Sequence, residues 1–204
     1  MRKFKHLTLR YVLDRVKLKV YTIFKHNNPW LTSESIKLIE DYLDKKHVVM
    51  EFGSGRSTSW FTSKVSKIIS IESDPTWYKK ISSELNDKIL KNELEILLLL
   101  SKIELLKFID NIEENSLDFV LVDSRYNRNI ISLKILDKLK ISGMLVVDDI
   151  SRYIPCEQSL SPNARKTIDG CADDIWVNFM KKTSKWRYTF TTNNITDTGI
   201  FIKT

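Results

Sequence analysis

Cysteine is almost absent: Cys156 and Cys171 are the only two in 204 residues. That is too few for a disulfide framework or a cysteine-based zinc centre, and a reducing, cytoplasmic setting is the expectation. Histidine is scarce as well. His6, His26 and His47 all precede the first glycine and share no ligand-like spacing, so they read as surface or packing residues rather than catalysts. Long hydrophobic runs are missing. The longest unbroken apolar stretch is the five residues from Ile96 to Leu100, against about 20 needed to cross a bilayer, and no integral membrane segment is expected. The basic start, Met-Arg-Lys-Phe-Lys-His, is followed by neither an apolar core nor a small-residue cleavage site, so no secretory signal is expected. What remains is 42% apolar and 29% charged, the make-up of one globular domain with a short extension.

The charge is unevenly placed. Of a formal net +7, residues 1 to 26 carry all of it: Arg2, Lys3, Lys5, Arg10, Arg15, Lys17, Lys19 and Lys25 stand against the single acid Asp14. The rest of the chain holds 25 bases and 25 acids, which argues against a nucleic-acid-binding surface spread over the whole domain. Within the arm, Leu9, Val12, Leu13, Val16, Val20, Ile23 and Phe24 recur at spacings of three and four, an apolar helical stripe. Val16 to Val20 also alternates apolar and basic, which leaves a short strand open. Docking on an anionic membrane surface, a nucleic-acid contact, a grip on an acidic partner, and a helix that simply packs on the domain all fit.

Beyond the arm, a helix is predicted over 33–45, and then short apolar runs alternate with helical patterns. Strands are expected at 48–52, 67–72, 94–100, 117–123 and 143–148, with helices at 58–65, 74–85, 105–112 and 129–139 between or after them. The leucines of 94–100 also suit a helix. A last helix (175–184) precedes two strands, 186–191 and 199–203, that flank a turn-rich segment and are expected to pair antiparallel. The fold class is therefore α/β: a doubly wound, mostly parallel, seven-stranded sheet ending in an antiparallel hairpin, with an N-terminal helical extension. Residues 1–45 form the extension and 46–204 the domain.

Two of only five glycines fall in the turn after the first strand, Glu51-Phe52-Gly53-Ser54-Gly55-Arg56-Ser57-Thr58. Glycine there lets a ligand approach the backbone closely, and the next helix begins with unpaired N–H groups. Glu72 ends the second strand, 21 residues after Glu51, where an acid in a doubly wound sheet accepts hydrogen bonds from ribose hydroxyls. A dinucleotide site would want a third glycine, and Glu51 beside a pyrophosphate would repel it. A ligand with a ribose and an ammonium but no phosphate suits both acids.

The chain resembles class I S-adenosylmethionine-dependent methyltransferases, with Rossmann-like topology, over about residues 28 to 204. Glu51 to Thr58 resembles the first cofactor motif and Ile71-Glu72-Ser73-Asp74 the ribose-binding strand end. Leu117 to Asp123 and Ile141 to Asp149 resemble strands four and five. Asn28-Pro-Trp-Leu-Thr ahead of the glycine motif is similar to a bacterial subgroup. Ser57 stands where many members have a third glycine, with Ser57 or Thr58 expected to cap the helix instead. The resemblance implies a cytoplasmic methyltransferase holding S-adenosylmethionine through Glu51, Gly53, Ser54, Gly55, Glu72, Ser73 and Asp123.

Asp123 and Asp149 are the candidate bases. Asp123, Asp148 and Asp149 fall where metal-dependent catechol-type relatives bind magnesium, although Asp149 replaces an asparagine. Arg125, Arg128, Arg152 and Tyr153 are placed to hold a small-molecule or glycan acceptor, with oxygen slightly favoured as the methylated atom. The irregular stretch 150–174 and the arm are expected to cover the acceptor, and the basic arm to contact an anionic surface. Two alternatives stay open: a nicotinamide-dependent oxidoreductase on a similar sheet, and a non-catalytic nucleoside-binding module docked through its arm.

Overall fold

A computed structural model describes residues 8–204; Arg2, Lys3, Lys5 and His6 lie outside the described residues. Seven strands form one sheet: β1 (Val49–Phe52), β2 (Ile68–Glu72), β3 (Leu94–Leu98), β4 (Leu117–Val122), β5 (Leu139–Asp148), β6 (Arg187–Thr192) and β7 (Asp197–Ile202). Their order is β3-β2-β1-β4-β5-β7-β6. The first five are parallel, and β7 inserts antiparallel between β5 and β6. The helices are α1 (Leu9–Phe24), α2 (Ser33–Tyr42), α3 (Arg56–Thr62), α4 (Pro75–Glu84), α5 (Asn86–Leu90), α6 (Lys102–Asp110), α7 (Arg128–Lys134) and α8 (Asp174–Lys182). This is the expected Rossmann-like architecture.

Alternation along the central strands divides the core in two, because successive side chains leave opposite faces of a sheet. Met50, Phe52, Val120, Val122, Leu145 and Val147 pack with residues of α6, α7 and α8. Val49, Phe119, Leu121 and Val146 pack on the other face with Ile36 and Ile39 of α2, Trp60 and Phe61 of α3, and Ile81 of α4. Because α2 belongs to this second layer, the packed body begins near Leu31 rather than at residue 46. The strand order reverses between the parallel neighbours β1 and β4, which opens a crevice at their carboxyl ends, the usual place for a ligand in such sheets.

Local chemistry explains where elements start. Asp74 accepts hydrogen bonds from the backbone N–H groups of Thr76 and Trp77, and Pro75 opens α4. Ser101 and Glu104 form a capping box that starts α6 three residues earlier than the apolar periodicity indicates. The helix expected to reach Leu139 ends at Lys134 in a short 3-10 turn, and β5 begins at Leu139. A register shift between Leu117 and Phe119, with Ser142 at φ 64°, marks the irregular start of that strand.

At the end of β1 the backbone turns through Gly53 (φ 103°), whose N–H donates to the Ile71 carbonyl. A Cβ at Gly53 would lie 2.8 Å from the carbonyl carbon and oxygen of Asp123, so the ends of β1 and β4 meet in backbone contact. Gly53→Ala is therefore expected to lower stability by about 2–4 kcal/mol in urea unfolding, through both the positive φ and the clash.

Candidate functional site

The two acids that flank the glycine turn have different surroundings. Glu72 is at the crevice: one carboxylate oxygen accepts from the Ser54 N–H at 3.1 Å, the other from the N–H groups of Ser73 (2.6 Å) and Asp74 (2.9 Å). It lines the cavity there with Gly53, Ser54, Gly55 and Ser73. Glu51 is fully buried and does not line that cavity. It shares a sheet face with Val49, beneath α3, and there it accepts hydrogen bonds from Ser57, Thr58 (2.7 Å) and Ser70 (2.9 Å). The expectation that both carboxylates open onto one hollow is corrected by this alternation. Glu51 acts on the site through the turn: Thr58 Oγ1 also accepts the Gly55 N–H (2.8 Å), and Ser70 is hydrogen-bonded to Ser54 (2.8 Å). The Ser57 hydroxyl, like that of Thr58, is committed to Glu51. Burial pushes the Glu51 carboxyl up to about 7, against the opposing pull of its three hydroxyl donors.

Asp123, Asp148 and Asp149 gather at the ends of β4 and β5, with Arg128 among them. Its Nη2 donates to Asp123 at 2.8 Å, its Nη1 to the Asp148 carbonyl, and its Nε to the Ser124 carbonyl at 3.1 Å. Arg128 is thus engaged in joining two strand ends, and its ring contact is with Tyr153. The Asp149 carboxylate accepts from Thr196 Oγ1 at 2.6 Å and pairs with Arg152 at 3.1 Å. The residues do not fit the magnesium site that the resemblance implies. A guanidinium already bridges the strand ends, and among the described residues no group of three His, Cys, Asp or Glu could hold a metal ion. Burial, followed by the charges of Asp123 and Asp149, drives Asp148 well above the usual carboxylate range. Burial also raises Asp123 to about 6, with Arg128 opposing and Asp149 adding to the rise.

Two cavities meet at this end of the sheet. The first, of about 1040 Å³, runs from the glycine turn past Glu72 and Trp77 to Asp123, Arg125 and Tyr126. The second, of about 870 Å³, lies between α1 and the domain and reaches Asp149, Arg152 and the β6–β7 turn at Asn193, Ile195 and Thr196. Trp30 and Arg56 line both, with the Arg56 guanidinium 5.1 Å over the Trp30 ring. The expected acceptor residues therefore separate. Arg125 faces the first cavity and Arg152 the second, whereas Tyr153 stacks on Trp176 with ring centroids 5.1 Å apart and lines neither. The arm helix does wall the second cavity, but the segment beyond Arg152 is turned onto its own contacts and the β6–β7 hairpin.

Three residues escaped the sequence reading. Trp77 donates its indole N–H to the Ser54 carbonyl at 2.6 Å, and Arg56 has one buried guanidinium nitrogen, Nη1, without a hydrogen-bond partner among the described residues. The third is Trp30. Its place directly before the helix that precedes the glycine strand was the available signal, and nothing in the spacing marks Trp77.

No protein-family profile and no curated protein sequence matches the chain. Its fold is that of solved methyltransferases. It is similar to an O-methyltransferase from Bacillus cereus solved in complex with SAH, at 14% identity and TM-score 0.60, covering 93% of this chain and 90% of the other. A second likeness is to an rRNA methylase from Streptococcus thermophilus, at 14% identity and TM-score 0.54, covering 83% and 94%. A third is to Aeropyrum pernix fibrillarin with natively bound S-adenosyl-L-methionine, at 11% identity and TM-score 0.52, covering 78% and 68%. The chain has the class I S-adenosylmethionine-dependent methyltransferase fold.

Because the folded carboxyl of Glu51 titrates near 7, above its ordinary 4.5, the native state holds a proton there that the unfolded chain releases. That stabilisation is full below about pH 4.5 and is lost as pH rises through 7. Glu51→Gln, which keeps a carbonyl acceptor for the hydroxyls, is expected to remove about 2–4 kcal/mol of the fall in stability between pH 5 and 8. Urea titrations at several pH values read this directly, with a residual slope of the same sign from Asp123 and Asp148.

Proposed function

We propose that the protein is a methyltransferase that binds S-adenosylmethionine in the larger cavity and a small-molecule or glycan acceptor, through an oxygen, in the adjoining one. The observation that carries this reading is the pair of adjoining cavities at the topological switch point, which share Trp30 and Arg56, one bounded by the glycine turn and Glu72 and the other lined by Asp149 and Arg152. The residues of the first suit the cofactor. Gly55 presents no Cβ and has open space before it, Glu72 retains a lone pair on Oε2 for a ribose hydroxyl, and Trp77 offers an aromatic wall beside it. Arg56, with its free buried nitrogen, suits a carboxylate at the boundary between the cavities.

When bound, the cofactor supplies a methyl group on a sulfonium. The protein's part is alignment and charge. Asp123, lining the first cavity, sets a negative charge near the sulfonium end. Asp149, held at φ 53° and fixed by Thr196 and Arg152, lines the second cavity and is the group placed to take a proton from an acceptor hydroxyl. Arg125, Arg128, Asp148 and Tyr153 support this arrangement from the rim or from behind it. A nicotinamide cofactor is less suited, although the repulsion expected from Glu51 does not act directly, since that carboxylate is enclosed. What disfavours it is that Ser57 and Thr58, at the position of a pyrophosphate-binding glycine turn, turn their hydroxyls inward to Glu51.

Calorimetry with S-adenosylhomocysteine is expected to show binding, weakened by about 10- to 100-fold in Glu72→Ala. Gly55→Ala is expected to fold with near wild-type stability, because its Cβ meets nothing within 4 Å, and yet to bind less tightly, since the methyl enters the cavity. A folded protein that binds a nicotinamide dinucleotide and not S-adenosylhomocysteine would refute the proposal.

Asp123 gives a second check. With its carboxyl near 6, the preference for the cationic S-adenosylmethionine over neutral S-adenosylhomocysteine should grow about 3- to 10-fold from pH 5 to 7. Asp123→Asn should flatten that dependence.

A further inference from the structure

Helix α1 faces the domain with its polar side. Tyr11, Leu18, Tyr21 and Thr22 are half-buried and Asp14 is buried, where Arg10 (3.6 Å) and Lys17 (3.8 Å) pair with it. The opposite side is apolar and open: Leu9, Val12, Leu13, Val16, Val20, Ile23 and Phe24 are between 46% and 79% exposed. At about 100° per residue these seven span an arc of roughly 120°; Val12 and Val16, at its edge, also line the second cavity, whereas Leu9, Leu13, Val20, Ile23 and Phe24 do not. Exposed bases border it on both sides, Arg10 and Lys17 along one edge, Arg15 and Lys19 along the other. A contiguous apolar strip of this size is costly in water unless something covers it.

We propose that α1 is a docking helix that lies on an anionic lipid surface, its apolar strip among the acyl chains and its bordering bases at the headgroups. Charge selects this occupant. A second copy placed strip to strip would bring each basic edge against the partner's basic edges, and the one acid of the helix is turned inward. A nucleic acid would lay its phosphates along the centre of the face, where the side chains are aliphatic or phenyl. An anionic bilayer matches both features, with apolar burial and headgroup attraction acting on one helix face. The helix stays attached to the domain through Arg10 to the Leu160 carbonyl (3.0 Å) and Asn28 to the Tyr21 hydroxyl (3.0 Å), so docking needs no unfolding. The inference rests on α1 alone and is independent of the cofactor reading.

The test is co-sedimentation of the full chain with vesicles of phosphatidylcholine alone or with about 30 mol% phosphatidylglycerol. Binding is expected to the anionic vesicles, about ten-fold weaker to the neutral ones, and reduced by added salt. The double substitution Leu13→Asp and Val20→Asp, at two exposed positions that do not line the second cavity, should leave the circular dichroism spectrum unchanged and weaken vesicle binding by about ten-fold or more. The proposal is overturned if the chain does not sediment with anionic vesicles, or if the double variant binds as well as the parent. A stable dimer in light scattering that the double variant abolishes would equally overturn it, assigning the strip to a contact between copies.

Discussion

A carboxyl group enclosed between β1 and α3 governs the geometry of the ligand end of this protein. Glu51 has no access to water and takes three hydroxyl donors, from Ser57, Thr58 and Ser70. Burying such a group without partners would cost several kcal/mol, so the donors are obligatory, and each belongs to an element that must be placed for the turn to form. Thr58 carries the constraint to Gly55, and Ser70 carries it to Ser54, whose N–H is in turn received by Glu72. The turn that shapes the larger cavity is thus held from behind by one acid and from the front by another. This division of labour explains why a third glycine is dispensable: a hydroxyl at position 57 does more for Glu51 than conformational freedom would do for the chain.

The same economy operates at the next strand ends, where the natural difficulty is three neighbouring carboxylates. The charge of Asp149 raises the proton affinity of Asp123, and both raise that of Asp148; a divalent cation would be one remedy. Arg128 is another. Rooted at the first residue of α7, its planar fork reaches Asp123 and two backbone carbonyls at once, which a lysine could not do. The cation is built into the chain, and Asp149 is left to Thr196 and Arg152 on the side of the second cavity.

The strand order and the position of the crevice were legible because they follow from alternation and from the glycine turn, both local in sequence. Glu51 shows where that legibility ends. Its spacing to Glu72 was right for a pair of ligand-facing acids, but period two had already assigned it to the face with Val49, and only the fold reveals that α3 covers that face. Tyr153 and Arg128 were read from proximity to strand ends, whereas their direction depends on Trp176 and on β5, far away in sequence. Trp77 carried no signal, and Arg56, although inside the glycine motif, carried none for its place beside Trp30, since both roles arise where segments from different parts of the chain converge. Boundaries moved by a few residues where a cap or a bulge, rather than hydrophobic periodicity, decided them.

The arm shows the converse case, in which the pattern was plain and its direction was not. An apolar helical stripe normally predicts the buried face of a helix, because burial is what such a stripe is for in an isolated domain. Here the inward face is made instead of Tyr11, Asp14, Leu18, Tyr21 and Thr22, and the cavity beside it is walled by Tyr11, Leu18, Tyr21 and Thr22 together with Val12 and Val16 from the edge of the stripe. Had the whole stripe faced inward, all seven of its aliphatic and phenyl side chains, rather than Val12 and Val16 alone, would have crowded the space beside Trp30, Ile195 and Asp149. Two requirements therefore meet in one helix: a wall of mixed polarity for the cavity beside Asp149, and an apolar surface left over for whatever lies outside. The helix orientation is best understood as the consequence of keeping that cavity, and the outward stripe as the feature that the rest of the described residues leave without a partner.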